Sequence, residues 1–123
     1  MVVLDTNILI DSLRLGGMTP TLTKISDNFH SYDIFVSTIS IQELYVGEST
    51  FRGGIPKSID ALVHAFTIVN YTEEQAKIAG KLMRDAKRVG LTHTFTDMAI
   101  AACAIFLNAQ LATSNIKHFK DIP

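Results

Sequence analysis

The sequence predicts an α/β fold with a central parallel sheet of four to five strands and helices on both faces. Short apolar runs rich in β-branched residues alternate along the chain with segments whose apolar residues recur at helical spacing. Hydroxyl residues followed three positions later by an acid or an amide mark several helix starts. Because strands that alternate with helices pair in parallel through right-handed crossovers, the pattern predicts three layers, α/β/α.

The first strand is predicted over 2–4, an apolar run that leads directly into Asp5. A helix follows from Thr6 to about Leu15. In parallel sheets, ligands bind in the crevice beyond the carboxyl ends of the strands, which is where Asp5 falls. Asp is also a favoured N-cap residue, so Asp5 taken alone is best explained as a cap.

The middle of the chain supplies two further strands, at 34–36 and 67–69. A helix with apolar residues at helical spacing over 22–29 precedes the first of them. Ser40 and Glu43 then fit a capping box that opens the next helix, with Ser40 at the N-cap and Glu43 at N3. A second carboxylate is therefore predicted at a helix start that follows a strand.

The second half of the chain contains two more capping boxes. Thr72 and Gln75 open a long amphipathic helix, and Thr94 and Asp97 open an almost wholly apolar helix that runs through Leu107. A helix that is apolar on all sides is buried, so its start is expected to lie deep in the fold. The last strand is predicted over 110–113, with Ser114 and Asn115 at its end.

Composition limits the classes of protein that the chain can represent. With 123 residues and 47% hydrophobic content, residues 1–123 are predicted to form a single domain. The net charge of -1 excludes a strongly basic protein that binds nucleic acid through its charge alone. The single cysteine, Cys103, rules out an internal disulfide, fits a reducing cytoplasm and is predicted to be a core residue. The longest apolar run, 98–107, is shorter than the ~20 residues that span a bilayer, which predicts a cytoplasmic protein outside the membrane.

Three carboxylates, those of Asp5, Glu43 and Asp97, are predicted at helix starts that share one edge of the sheet. Three independent helix caps would explain them without any further function. Buried charge is costly, however, unless it is paired or coordinates a metal. Ligands that are all hard oxygen atoms suit Mg²⁺ or Mn²⁺, and such sites commonly hydrolyse phosphodiesters. A metal-dependent phosphoryl-transfer site is therefore predicted at this edge.

Hydroxyl groups could support such a site. Thr6 could hold the Asp5 carboxylate or bond to backbone in the first helical turn. Thr113 and Ser114 could position a phosphate or simply form a turn. The cations of the long helix recur at helical spacing, but acids share that helix, so a solvated face is predicted. These cations are Lys77, Lys81, Arg84 and Arg88. His93 and His118 are predicted to be ordinary surface or loop histidines.

Four blocks of the sequence together resemble the PIN-domain family, and more narrowly the VapC-type toxin ribonucleases of bacterial and archaeal toxin-antitoxin pairs. The blocks are 5–7 after the first strand, 40–44 with Gly47, 96–102, and 111–115 followed by His118 and Phe119. They occur in family order and extend over the whole chain.

The resemblance implies a PIN-like fold and a Mg²⁺-dependent endoribonuclease, with Asp5, Glu43 and Asp97 as the acidic triad around the metal. Asn115 stands where the family often places a fourth acid, so the amide is the fourth predicted catalytic position. The resemblance also implies an RNA substrate, a homodimer, and a small antitoxin whose tail enters the active-site groove. A surplus of apolar residues over 22–45 also favours a dimer.

Three alternatives remain open from the sequence. The same chemistry could act in RNA processing or on DNA. A phosphatase that forms an aspartyl phosphate also places Asp after its first strand, but it usually carries a second Asp two residues on, where this chain has Asn7. A binding module without catalytic activity would use the three acids only as helix caps.

Overall fold

The structure is a computed structural model that describes residues 1–47, 55–91 and 93–113. The strands in these residues are β1 (Val2–Leu4), β2 (Ile34–Ser37), β3 (Thr67–Val69) and β4 (Gln110–Ala112). The helices are α1 (Thr6–Leu15), α2 (Pro20–Asn28), α3 (Thr38–Val46), α4 (Ile55–Val63), α5 (Glu73–Arg88) and α6 (Phe95–Leu107), with a 3-10 turn at Ser31–Asp33. The alternation of strands and helices predicted from the sequence is confirmed.

The four strands form one parallel sheet in the order β3-β2-β1-β4. Because all of them run in the same direction, their carboxyl ends lie along one edge of the sheet, called here the carboxyl edge. β1 lies between β2 and β4, so the residue that follows β1 has neighbours from both sides. This topology places Asp5 near the centre of the carboxyl edge.

Successive residues of β1 point to opposite faces of the sheet, and each face has its own apolar core. Helices α1 to α4 cover one face, where Val2 and Leu4 pack in a cluster with Leu9, Leu22, Leu44 and Ile59. Val3 points to the other face and packs against Ile100 and Cys103 of α6, and α5 in turn packs against α6. The three-layer α/β/α fold predicted from the sequence is therefore confirmed.

Cys103 is fully buried in the core beneath the sheet. Burial raises the pKa of its thiol to about 11, so the group stays protonated at neutral pH. A protonated, buried thiol packs as a small apolar side chain and is a poor nucleophile. The prediction that Cys103 is a core residue is confirmed.

The start of α3 differs from the prediction. Ser37 is its N-cap, with Oγ accepting a hydrogen bond from the Ile39 N–H at 3.1 Å. The helix therefore begins three residues before the predicted start, and Ser40 lies inside it and is fully buried. Glu43 consequently falls in the second turn rather than at N3. The predicted capping box of Ser40 and Glu43 is wrong, and helix capping does not explain Glu43.

The start of α6 also differs from the prediction, in its burial. Residues 98–104 are buried, as expected for an apolar helix. The first turn and its N-cap are not buried: Thr94 is exposed, Phe95 is 57% exposed, and Asp97 is half-buried. The expectation that this helix starts deep in the fold is wrong: the apolar middle of α6 is covered by the sheet and α5, whereas its start opens onto the carboxyl edge.

The apolar residues over 22–45 mostly belong to the core rather than to a surplus surface. Leu22, Ile34, Val36 and Leu44 are buried, whereas Tyr32 and Tyr45 are exposed. The apolar surplus therefore gives no support to dimerisation, which remains a prediction from the family resemblance. Among the helices of the described residues, none combines the length and the apolarity needed to cross a membrane.

Candidate active site at the carboxyl edge

Asp5 occupies the N-cap position of α1 but does not act as a cap through its side chain. The carboxylate accepts no N-cap hydrogen bond. Its Oδ2 instead accepts a hydrogen bond from the Thr113 hydroxyl at 2.7 Å, across 108 positions of the sequence. Asp5 is only 3% exposed. A buried carboxylate that makes no side-chain cap bond and is held by the residue after β4 argues against the capping explanation of Asp5.

Thr6 links α1 to α3 through its hydroxyl group. Its Oγ1 donates a hydrogen bond to Glu43 Oε1 at 2.6 Å and lies 2.8 Å from Ser40 Oγ. A threonine hydroxyl has one proton, and a carboxylate can only accept, so Ser40 is the donor to Thr6. The chain of hydroxyls from Ser40 to Thr6 to Glu43 therefore has one direction. It fixes the Glu43 carboxylate beside the start of α1.

Asp97 lies at N3 of α6, as the capping pattern predicts. The Thr94 hydroxyl accepts a hydrogen bond from the Asp97 N–H at 3.2 Å, which confirms Thr94 as the N-cap. The Asp97 side chain is half-buried and lies close enough to Asp5 to affect its ionisation. Of the three acids, Asp97 alone fits both a capping and a site explanation.

The three carboxylates interact electrostatically at this edge. Burial is the largest cause that raises the pKa of Asp5, and the negative charges of Asp97 and Glu43 raise it further. The hydrogen bond from Thr113 and the neighbouring Thr6 N–H oppose this shift, because both favour the ionised form. The net shift of the Asp5 pKa is upward. Acids from three different helices are thus brought close enough together for two of them to affect the ionisation of Asp5.

The predicted site residues near the chain end are placed only in part. Thr113 directly follows β4, and its hydroxyl reaches Asp5. Ser114 and Asn115, predicted as a supporting residue and as the fourth catalytic position, lie outside the described residues. His118 lies outside them as well.

The donor chemistry of this edge fits a hard divalent cation. Three carboxylates and two hydroxyls supply only oxygen atoms, which Mg²⁺ and Mn²⁺ prefer. Within the described ranges, no three His, Cys, Asp or Glu side chains are arranged tightly enough to hold a metal ion. The carboxylates are instead tied to hydroxyls, Asp5 to Thr113 and Glu43 to Thr6. The residue types therefore suit a divalent metal ion. When no cation is bound, the acids repel one another, and this repulsion opposes a tighter cluster.

An aromatic pair lies at the same edge and was missed in the sequence analysis. Tyr71 follows β3, and its ring packs edge-to-face on Phe95, the first residue of α6, with centroids 6.4 Å apart and planes at 66°. Partial burial raises the pKa of Tyr71, so its phenol stays neutral at physiological pH. The signal that could have found this pair is an aromatic residue at a strand end and another directly after a predicted N-cap.

The sequence profile of the PIN domain matches residues 2–123 of the chain. The chain belongs to the PIN domain family. Two relatives of this PIN domain match it over nearly their full lengths. Ribonuclease VapC of Rickettsia bellii is 29% identical over 126 residues, which cover 98% of this chain and 90% of the relative. Ribonuclease VapC19 of Mycobacterium tuberculosis is 30% identical over 123 residues, which cover 100% and 95%.

Solved structures share the fold of this PIN domain. VapBC2 of Rickettsia felis, crystallised with a DNA fragment from its promoter, gives a TM-score of 0.86 at 26% identity, covering 100% of this chain and 94% of the matched chain. FitAcB of Neisseria gonorrhoeae gives a TM-score of 0.75 at 25% identity, with coverages of 98% and 91%. The resemblance to the PIN-domain family inferred from the four sequence blocks is confirmed.

Proposed function

We propose that this PIN domain, residues 1–123, is a Mg²⁺-dependent endoribonuclease and the toxin of a toxin-antitoxin pair. The observation that carries the proposal is the meeting of three acids from distant parts of the chain, with buried Asp5 at the centre and Asp97 and Glu43 both acting on its pKa. A carboxylate buried close to other carboxylates destabilises the fold, unless a bound cation compensates their charges. The relatives that this chain matches over 90% and 95% of their lengths are named ribonucleases.

The metal would be held by Asp5, Glu43 and Asp97. Mn²⁺ would support the reaction in place of Mg²⁺. When bound, the cation would activate water and neutralise the charge that develops at the scissile phosphate. The residues of the chain prepare the ligands for it. The Thr6 hydroxyl orients Glu43 by donating a hydrogen bond to it. The Thr113 hydroxyl donates to Asp5, and this bond favours the ionised form of Asp5 against the effect of burial. Ser114 and Asn115 are proposed to complete the site.

The proposal is tested by RNA cleavage with purified protein. We expect endonucleolytic cleavage of single-stranded RNA with Mg²⁺ or Mn²⁺ and loss of cleavage with excess EDTA, which returned Mg²⁺ restores. A matched DNA oligonucleotide separates ribonuclease from deoxyribonuclease activity. Cleavage that persists in EDTA would refute the metal mechanism. Cleavage of DNA alone would assign the same site to a different nucleic acid.

The hydroxyl of Thr6 gives a sharper test, because valine has the same shape without the donor. We expect Thr6→Val to lower the free energy of unfolding by ~1–3 kcal/mol, since Thr6 is 4% exposed and its loss leaves Glu43 without this bond. Cleavage should fall ~10–100-fold, the usual effect of removing a group that orients a metal ligand.

Thr6→Ser is the matched control, because it keeps the hydroxyl and removes one methyl group. It should retain most activity and cost only ~1 kcal/mol of stability. Chemical denaturation and cleavage rates measure both variants. Equal activity of Thr6→Val and the parent protein would show that the bond to Glu43 plays no part in the reaction.

The partners follow from the same proposal. The structural neighbour VapBC2 bears the name of the VapBC family of toxin-antitoxin systems. We infer that this PIN domain is a cytoplasmic homodimer that a cognate antitoxin neutralises. Co-expression with the neighbouring open reading frame, followed by light scattering of the purified protein with and without that product, measures both associations. A monomer at micromolar concentration would contradict the dimer.

A further inference from the structure

We propose that Tyr71 and Phe95 form a stacking platform that binds an unpaired base of the substrate RNA at the carboxyl edge. The inference rests on the proposed ribonuclease function and adds a substrate-binding site to it. The two residues are called the aromatic platform below. Neither residue belongs to the acidic set, and neither is needed to explain the fold of the sheet.

The exposure of Phe95 is the first argument. The ring is 57% exposed although it belongs to the first turn of a helix whose middle is buried. Tyr71 packs edge-to-face against it, at a centroid distance of 6.4 Å and an angle of 66°. This geometry supports the Phe95 ring from one side and leaves ring surface open to solvent. An open, supported aromatic face suits stacking with a nucleobase.

The second argument is that Tyr71 is held in place on both sides. Its backbone N–H donates to the Thr38 hydroxyl at 3.0 Å, which ties it to the first residue of α3. In the adjoining turn, the fully buried Gln75 donates from Nε2 to the Asn70 carbonyl at 3.0 Å. A ring whose backbone is fixed before binding loses little entropy when a base stacks on it. The aromatic platform is therefore preorganised.

The position of the aromatic platform is the third argument. Tyr71 follows β3 and Phe95 begins α6, so both lie at the carboxyl edge with the three acids. Phe95 and Asp97 share the first turn of α6 but are two positions apart, so their side chains leave the helix on different sides. The aromatic platform therefore lies beside the acids at the carboxyl edge and not among them. We place there the base of a nucleotide that adjoins the scissile phosphate.

Charge favours this type of contact at the site. Three carboxylates repel the RNA backbone, and several cations of α5 already pair with acids on the same helix. These pairs are Lys77 with Glu73, and Arg84 and Arg88 with Asp85. Stacking supplies affinity that does not depend on basic residues and tolerates any base. It also favours single strands, because a base within a duplex offers no free face.

The first test is steady-state cleavage by the wild-type protein and Phe95→Ala. We expect KM for single-stranded RNA to rise ~5–100-fold, the range for loss of one stacked base, with kcat changed less than ~3-fold. Phe95→Trp should restore KM. The matched control is Tyr32→Ala. Tyr32 is 66% exposed and stacks on His30, but it precedes β2 at the opposite edge of the sheet, so its loss should leave KM unchanged.

The second test uses fluorescence, because the chain contains no tryptophan. Phe95→Trp is combined with Asp5→Asn, so that the oligonucleotide is not cleaved and the start of α6 is unaltered. We expect saturable quenching by single-stranded RNA and much weaker quenching by the same sequence in a duplex. Tyr32→Trp with Asp5→Asn is the control and should not respond.

The outcomes separate the two proposals. RNA cleavage with equal KM for Phe95→Ala and the parent would overturn the aromatic platform and leave the ribonuclease proposal standing. Absence of RNA cleavage by the parent, together with RNA-dependent quenching, would overturn the ribonuclease and support the aromatic platform. An emission change that follows protein concentration without RNA would show that a second copy of the chain covers Phe95, and would overturn the platform.

Discussion

Asp97→Asn is expected to lower the rate of RNA cleavage by about two or more orders of magnitude, while the protein remains folded. Asp97 fits two explanations, because it lies at N3 of α6 and also raises the pKa of Asp5. As a cap it would be replaced well by Asn, which keeps an oxygen acceptor, and full loss of a cap costs only ~0.5–2 kcal/mol. As a metal ligand it would lose the charge that the reaction needs, which commonly costs ~100-fold or more.

Thr94→Ala is the matched control for that experiment. It removes the hydroxyl that accepts from the Asp97 N–H at 3.2 Å, and so weakens the helix start without removing a carboxylate. We expect it to lower the free energy of unfolding by ~1 kcal/mol and cleavage by less than tenfold. Cleavage rates and chemical denaturation of both variants give the comparison. Full activity of Asp97→Asn would show that the residue is a helix cap only.

The position of Asp5 could be predicted from the sequence because it depends on local pattern. The run 2–4 is wholly apolar, which is typical of a strand buried on both faces, and the polar residues after it must lie at a strand end. A parallel sheet then brings such strand ends to one edge whatever the details of packing. The contact of Thr113 with Asp5 follows from the same topology, because β4 pairs directly with β1.

The start of α3 could not be predicted because local rules do not rank its hydroxyls. Ser37, Thr38 and Ser40 all follow the predicted strand 34–36 within four positions, and each is an acceptable N-cap. The choice is made by tertiary contact, since the Ser40 hydroxyl is buried against Thr6, 34 positions away. Once Ser40 is inside the helix, Glu43 moves to the second turn. There it serves the site and not the cap.

The exposure of the start of α6 could also not be predicted from the sequence. The composition of a helix gives its average burial, and the apolar residues of α6 are indeed buried over 98–104. Which end emerges from the fold depends on the length of the sheet that covers it. The pairing of Phe95 with Tyr71, 24 positions earlier, is likewise a tertiary contact that no local pattern gives.

Asp5→Asn is expected to be more stable than the parent protein in EDTA and less stable than the parent protein in Mg²⁺. Asp5 is 3% exposed, and burial raises its pKa above the ordinary value of 3.8. The native state therefore binds the proton more tightly than the unfolded state does, and stability falls as the pH rises from 3.8 through the raised pKa. Above that window the penalty of the buried charge is complete. Asn carries no charge, so in EDTA at neutral pH the variant should be the more stable protein, and its advantage should shrink as the pH falls.

With Mg²⁺ the parent protein should become the more stable one. A ligand that binds only the native state adds ~2.7 kcal/mol when its concentration is 100 times the Kd, and the variant lacks one of the three acids that bind it. Thermal unfolding of both proteins in EDTA and in Mg²⁺, at two pH values, measures the reversal. The control is Asp11→Asn, which removes the same charge from an exposed position of α1 and should leave the Mg²⁺ shift unchanged. If Asp5→Asn shows the same Mg²⁺ shift as its parent, Asp5 does not bind the metal, and the proposed site must be abandoned.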